Sequence, residues 1–169
     1  SGGAPEIDDK TFADVVFYQA TLAPPARRNP NDAQVQRGEQ LFAQAQCAAC
    51  HRPSYVTAAA PLPAFTSPAL AGQRIWPYTD LLLHDMGDAL ADHRHDAAAN
   101  GRQWKTPPLW GIGLIRDVNG HEQLLHDGRA RGVLEAILWH GGEAEASKRL
   151  VMKMRRAERG ALLKFVESL

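Results

Sequence analysis

Apolar residues return at helical spacing in several separate stretches of the chain. In residues 8–22, Phe12, Val15, Val16 and Leu22 follow such a pattern, which stops at Ala23-Pro24-Pro25. This predicts a short helix and then a proline-rich arm reaching Pro30. Asn31-Asp32 opens a stronger helix, with Val35, Gly38, Leu41, Phe42 and Ala45 on one face. Gly38 leaves room there for another helix to approach while the Phe42 ring packs beside it. Residues 52–77 are rich in Pro, Ala, Ser and Thr, including Pro61-Leu62-Pro63 and Ser67-Pro68, and read as an extended loop with at most a short ribbon. Thr79-Asp80 has the form of a helix start, followed by Leu81-Leu82-Leu83-His84-Asp85-Met86 and a stop at Gly87. Residues 88–103 are polar and Ala-rich, as in a surface loop, and Thr106-Pro107-Pro108-Leu109-Trp110 cannot be helix interior. After a turn near Asn119-Gly120, a helix is expected over about 132–140, ended by Gly141-Gly142. Two more helices fit 143–154 and 156–168, the last with Leu162, Phe165, Val166 and Leu169 on one side.

The stronger early helix runs straight into Cys47-Ala48-Ala49-Cys50-His51, which holds both cysteines of the chain. Two thiols at this spacing can add to the two vinyl groups of haem, and the adjacent histidine then lies beneath the iron as its proximal ligand. The rival readings are weaker. A redox dithiol wants a βαβ context, and β-branched alternation is almost absent. A structural zinc site needs further ligands at finger-like spacing, and no second Cys pair supplies them. One haem c, bound through Cys47 and Cys50, is the expected cofactor. Helices and long irregular loops around it give an expected all-α, cytochrome-c-like fold. Residues 1–30 form an N-terminal arm with a short helix, and residues 31–169 form the c-type cytochrome domain. In that domain the Gly38/Phe42 helix is expected to cross the terminal one. Ser1-Gly2-Gly3 reads as a cloning or cleavage remnant.

Charge and length narrow the partners. The 169 residues fit one domain, and 19 basic against 19 acidic residues give no net charge to attract nucleic acid. No apolar run approaches the roughly 18 residues of a membrane span. Haem is attached to such motifs outside the bacterial cytoplasm, so a periplasmic location is expected, with an export signal that this sequence does not contain.

The second axial position decides what such an iron does. Methionine raises the potential, a second histidine lowers it, and an open position admits peroxide or gases. Met152 and Met154 lie in a basic amphipathic segment and read as packing residues. His93, His95 and His121 lie in polar loops, and His84 reads as a turn or packing residue. Met86 precedes a glycine in an apolar stretch, as a loop-borne thioether ligand would. His140 ends a helix carrying Val133, Leu134 and Ile137, ahead of a turn able to approach a porphyrin. Spacing alone leaves Met86 and His140 even.

From about Val35 to Leu169, some four-fifths of the chain, the sequence resembles the second, C-terminal haem domain of the bacterial di-haem cytochrome c peroxidase superfamily. The resemblance rests on Thr106-Pro107-Pro108-Leu109, on His126-Asp127-Gly128 and on Leu134-Glu135-Ala136-Ile137. It is closer still to a di-haem branch labelled thiol oxidoreductase-like, through residues 81–87, 106–111 and 135–144. Placing these blocks in register implies His140 as the distal ligand opposite His51, with Met86 as the alternative. The register puts His140 where those relatives carry methionine or tyrosine. Trp110-Gly111 likewise replaces the Arg-Asn expected after Thr-Pro-x-Leu.

The expectation is a domain that transfers single electrons through a six-coordinate bis-histidine haem, with a redox partner protein or a second haem domain as its counterpart. The competing enzymatic reading is a peroxidase-like or substrate-oxidising haem with an open or labile distal position, where His126 and Asp127 act as acid/base pair. Against that, His126-Asp127-Gly128 also fits a tight turn held by local hydrogen bonds. A haem-based sensor with a labile ligand is a third possibility. Trp76, Trp104, Trp110 and Trp139 are candidates to assist electron transfer, with core packing the expected role for most.

Overall fold

A computed structural model describes residues 5–59 and 67–169. Ser1-Gly2-Gly3, Ala60 and Pro61-Leu62-Pro63 lie outside the described residues. The chain divides into two compact units, one holding residues 5–24, 54–59 and 67–76, the other residues 25–53 and 77–169.

In the smaller unit the first predicted helix is α1 (Asp9–Thr21). It starts where the Asp8 carboxylate accepts a hydrogen bond from the Thr11 amide at 2.7 Å. Phe12, Val15, Phe17 and Tyr18 are all exposed. The short ribbon is also present, as β1 (Tyr55–Val56) paired antiparallel with β2 (Arg74–Ile75).

The larger unit is organised by α2 (Ala33–Gln44) and α6 (Arg156–Val166). Asp32 caps α2 by accepting from Gln34 N at 2.8 Å and Val35 N at 3.2 Å. It also pairs with Lys164 of α6 at 2.7 Å. The helices cross where Gly38 has no side chain: a Cβ there would collide with the Ala161 carbonyl and stand 2.5 Å from Phe165 Cβ. Phe42 and Phe165 then meet edge to face at 5.3 Å, and Tyr78 joins both at 5.9 and 5.8 Å. This crossing is the one read from the sequence, and Val35, Leu41, Leu162, Phe165, Val166 and Leu169 are all buried in its core. The helices α4 (Val133–Trp139) and α5 (Glu145–Lys153) also fall where periodicity placed them.

The all-α expectation is corrected by two small antiparallel sheets, the β1–β2 ribbon and a second formed by β3 (Leu83–Asp85) and β4 (Gln103–Lys105). The fold is mixed, with helices outweighing strands. β3 replaces the helix expected from Thr79-Asp80. Those two side chains do take nearby amides, Leu81 N at 2.9 Å and Leu82 N at 2.9 Å, as helix caps would. But Leu81 is left-handed, with φ of 62°, which turns the chain away from a helix. The buried Thr79 hydroxyl donates to the Thr106 carbonyl at 2.6 Å and ties the turn beside β4. The pairing then sets His84 opposite Trp104 and Asp85 opposite Gln103.

Residues 88–103 are not simply a surface loop either. Leu90 is 2% exposed, and its carbonyl accepts from Trp104 Nε1 at 3.0 Å. A further short helix, α3 (Ile115–Asn119), stands before the predicted turn and ends on Gly120 in left-handed geometry. Among the described residues no helix is long and apolar enough to cross a membrane.

Candidate functional site

The packed end of α2 delivers the Cys-x-x-Cys-His motif. Ala45 is fully buried, Gln46 turns with φ of 61°, and Cys47–Ala49 form one 3₁₀ turn. His51 N then donates to Cys47 O at 2.9 Å, which winds both thiols and the histidine into one compact turn. Burial pushes the Cys47 thiol up to about 11, and burial followed by the charges of Asp80 and Glu143 raises Cys50. A redox dithiol needs the opposite, a thiolate stabilised near neutral pH.

The His51 ring rests against Phe42 at 6.3 Å, and its Nδ1 lies 3.0 Å from the Tyr78 carbonyl. A carbonyl only accepts, so Nδ1 carries the proton and Nε2 keeps its lone pair. Tyr78 aims that carbonyl from a left-handed backbone, with φ of 53°, while its side chain is 3% exposed in the Phe42–Phe165 cluster. His140 repeats the arrangement at the end of α4, where its Nδ1 meets the Ala136 carbonyl at 2.7 Å. Its Nε2 is thereby also left to a metal. Burial lowers both histidines, His51 to about 4, so both are neutral at physiological pH, as metal ligands must be.

The two rings face one another with centroids 6.4 Å apart and planes at 43°. A metal bound between two imidazole nitrogens, at about 2 Å from each, sets the centroids roughly 6 Å apart. The observed separation of the two rings is of that size. Met86 adjoins the same loop: its amide donates to Arg102 O at 2.9 Å, and its carbonyl packs behind Gly141.

A second cluster adjoins the motif. Cys50, Asp80 and His84 offer ligating atoms within 4.8 Å of one another. Both nitrogens of His84 are already engaged, Nε2 with Asp80 and Nδ1 with Glu143, each at 2.8 Å. His84 is raised above the ordinary imidazole range, chiefly by the Glu143 hydrogen bond, and works as a cation between two carboxylates rather than as a metal ligand. Sequence reasoning gave His84 only a turn or packing role and left Glu143 out. Asp80, four residues before His84, was the one local signal.

A pH prediction follows. Because the folded value of His84 is raised, its stabilisation is full below the unfolded value of about 6.5 and is lost as pH rises through the raised value. Glu143 is 55% exposed on its side chain, so solvent screens the pair and its contribution is small. The Tm difference between the wild type and His84→Asn is therefore expected to be widest near pH 6 and to close at alkaline pH. A gap that widens with pH would contradict the assignment.

His126 and Asp127 each have a partner other than one another. His126 stacks on Trp104 at 3.4 Å and 11°, and its Nε2 is 4.0 Å from Asp127. Asp127 instead accepts from Arg129 Nε at 2.6 Å and Arg129 N at 3.2 Å, closing a turn on Gly128 with φ of 73°. Arg129 in turn lies over the Trp139 ring at 4.8 Å. His93, His95 and His121 are exposed, as expected. Met154 packs on the core as expected, but Met152 is 58% exposed and does not pack. Trp76 and Trp110 are exposed as well, so core packing fails for them.

Histidine imidazoles and cysteine thiols are residue types by which proteins hold haem. A family model described as "Di-haem oxidoreductase, putative peroxidase" matches residues 1–169, and the chain belongs to that family. It is thus a haem-binding oxidoreductase by family. No curated protein and no solved structure matches the chain.

Proposed function

We propose that this chain is a c-type cytochrome domain that transfers single electrons through one haem c, bound by Cys47 and Cys50 and ligated axially by His51 and His140. The observation that carries the reading is the 6.4 Å separation of two imidazoles whose Nδ1 atoms are both committed to backbone carbonyls. A haem iron held there supplies a one-electron couple, with a potential lower than a His/Met pair would give. The protein's part would be to hold the haem iron through His51 and His140 and to keep water and peroxide from it. Tyr78 O and Ala136 O fix the two rings and raise their basicity. Since the family is di-haem and the chain has one Cys-x-x-Cys-His, the electron's other station is a second haem domain or a redox partner protein. On this reading the chain is the C-terminal haem domain of a di-haem protein and works in the periplasm.

The family description also favours a second reading, a peroxide-reactive haem. That requires His140 to leave the iron, and the engagement of His126 with Trp104 and of Asp127 with Arg129 leaves no distal acid/base pair ready. A reductive titration of the holoprotein separates the two. The carrier takes up one electron per chain, and its ferrous spectrum ignores carbon monoxide while its ferric spectrum ignores peroxide. Rapid reaction of the wild type with peroxide would establish the enzyme instead. Extraction with acidified acetone tests the thioethers, because haem must stay on the chain.

A further inference from the structure

The loop that carries His140 is fastened to β3 at three places. Gly141 and Gly142 form the first: a Cβ on Gly141 would stand 2.9 Å from the Met86 carbonyl, and one on Gly142 would collide with the Asp85 carbonyl. Gly142 also has a φ of 52°, so the turn both requires glycine and lies flat on the strand. The second is Glu143 Oε1, which accepts from the Asp85 amide at 2.9 Å. The third is Glu143 Oε2, 2.8 Å from His84 Nδ1. His84 passes the connection on through Nε2 to Asp80, whose carboxylate neighbours the Cys50 thiol. A chain of polar contacts thus joins the segment after one axial histidine to the surroundings of the motif holding the other. The sequence blocks 81–87 and 135–144 are the two sides of this joint, a role that electron transfer itself does not explain.

We propose that Glu143 and His84 are positioning residues, which hold His140 on the iron by clasping its loop to β3. The inference rests on the bis-histidine reading. His140 follows directly on α4, and beyond it the diglycine turn and this clasp hold the backbone against β3. Without the carboxylate, the loop keeps its glycine contacts but loses both polar anchors, and the ligand dissociates more often.

The test compares Glu143→Ala, Glu143→Gln and His84→Asn as purified holoproteins, read by ferric spin state and by the rate of carbon monoxide binding to the ferrous form. Glu143→Ala is expected to show a high-spin fraction and carbon monoxide binding faster by about 10-fold, the scale on which supporting contacts act on metal ligands. Added imidazole should restore its low-spin spectrum, and an unfolding midpoint equal to wild type would separate ligand release from general destabilisation. Glu143→Gln keeps an acceptor for the Asp85 amide and should fall between Glu143→Ala and wild type, as should His84→Asn. If Glu143→Ala fails to mature, those two variants carry the test alone. Wild-type spectra and carbon monoxide rates in all variants would overturn the clasp while leaving the bis-histidine iron standing. A wild type that is already high-spin would remove both.

Discussion

His140→Ala is expected to convert the ferric protein from low to high spin and to open the sixth coordination position. The loss should be nearly complete, because no other imidazole faces His51 among the described residues. The alternative ligand, Met86, lies on the neighbouring segment against Gly141. The ferrous variant should bind carbon monoxide and the ferric variant should react with peroxide, both absent in wild type. Because His140 is the residue that ends α4 and lies outside the helical core, folding should survive. A His140→Ala spectrum identical to wild type, paired with a changed Met86→Ala spectrum, would assign the distal bond to Met86.

Gly38→Ala should destabilise the holoprotein by about 3 kcal/mol, the upper end of the overpacking range. Two effects oppose one another here. Alanine in a helix is favoured over glycine by about 1 kcal/mol. Against this, the new methyl collides with the Ala161 carbonyl and reaches 2.5 Å from Phe165 Cβ, both on a packed helix that cannot yield by rotating a side chain. The steric cost wins, and it is large beside a total stability of about 5–15 kcal/mol. Since Phe42 links this crossing to the His51 ring, separating α2 from α6 should also loosen the proximal side. Denaturant unfolding of the matured protein measures it. A variant as stable as wild type would mean that the helices do not cross at Gly38.

The parts legible in the sequence were those written in side-chain periodicity and in local motifs. The faces of α2 and α6, the Gly38 crossing and the turn after His140 all have residue types that fit only one arrangement well. β3 was misread because Thr79 and Asp80 bind nearby amides equally well in a helix cap and in a turn. The choice came from β4, a partner some twenty residues away. Leu81, Leu82 and Leu83 gave no period to break the tie, and all three are exposed.

In the site, the motif cysteines and His51 could be read directly, whereas His140 was separated from Met86 only by family register. The contact of the Tyr78 carbonyl with His51 was invisible for another reason: a backbone oxygen leaves no letter in the sequence, and only the left-handed turn aims it. The His84–Glu143 pair spans 59 positions, beyond any local pattern. α1 shows the converse limit, since its helical pattern was correct and yet none of its residues is buried.

Electron paramagnetic resonance of the ferric wild-type holoprotein, with resonance Raman on the same sample, interrogates the pairing of His51 with His140 most directly. A six-coordinate, low-spin, bis-imidazole signature is the expected result. A high-spin signal with water on the metal, or a low-spin signal with a methionine-to-iron charge-transfer band, would contradict it.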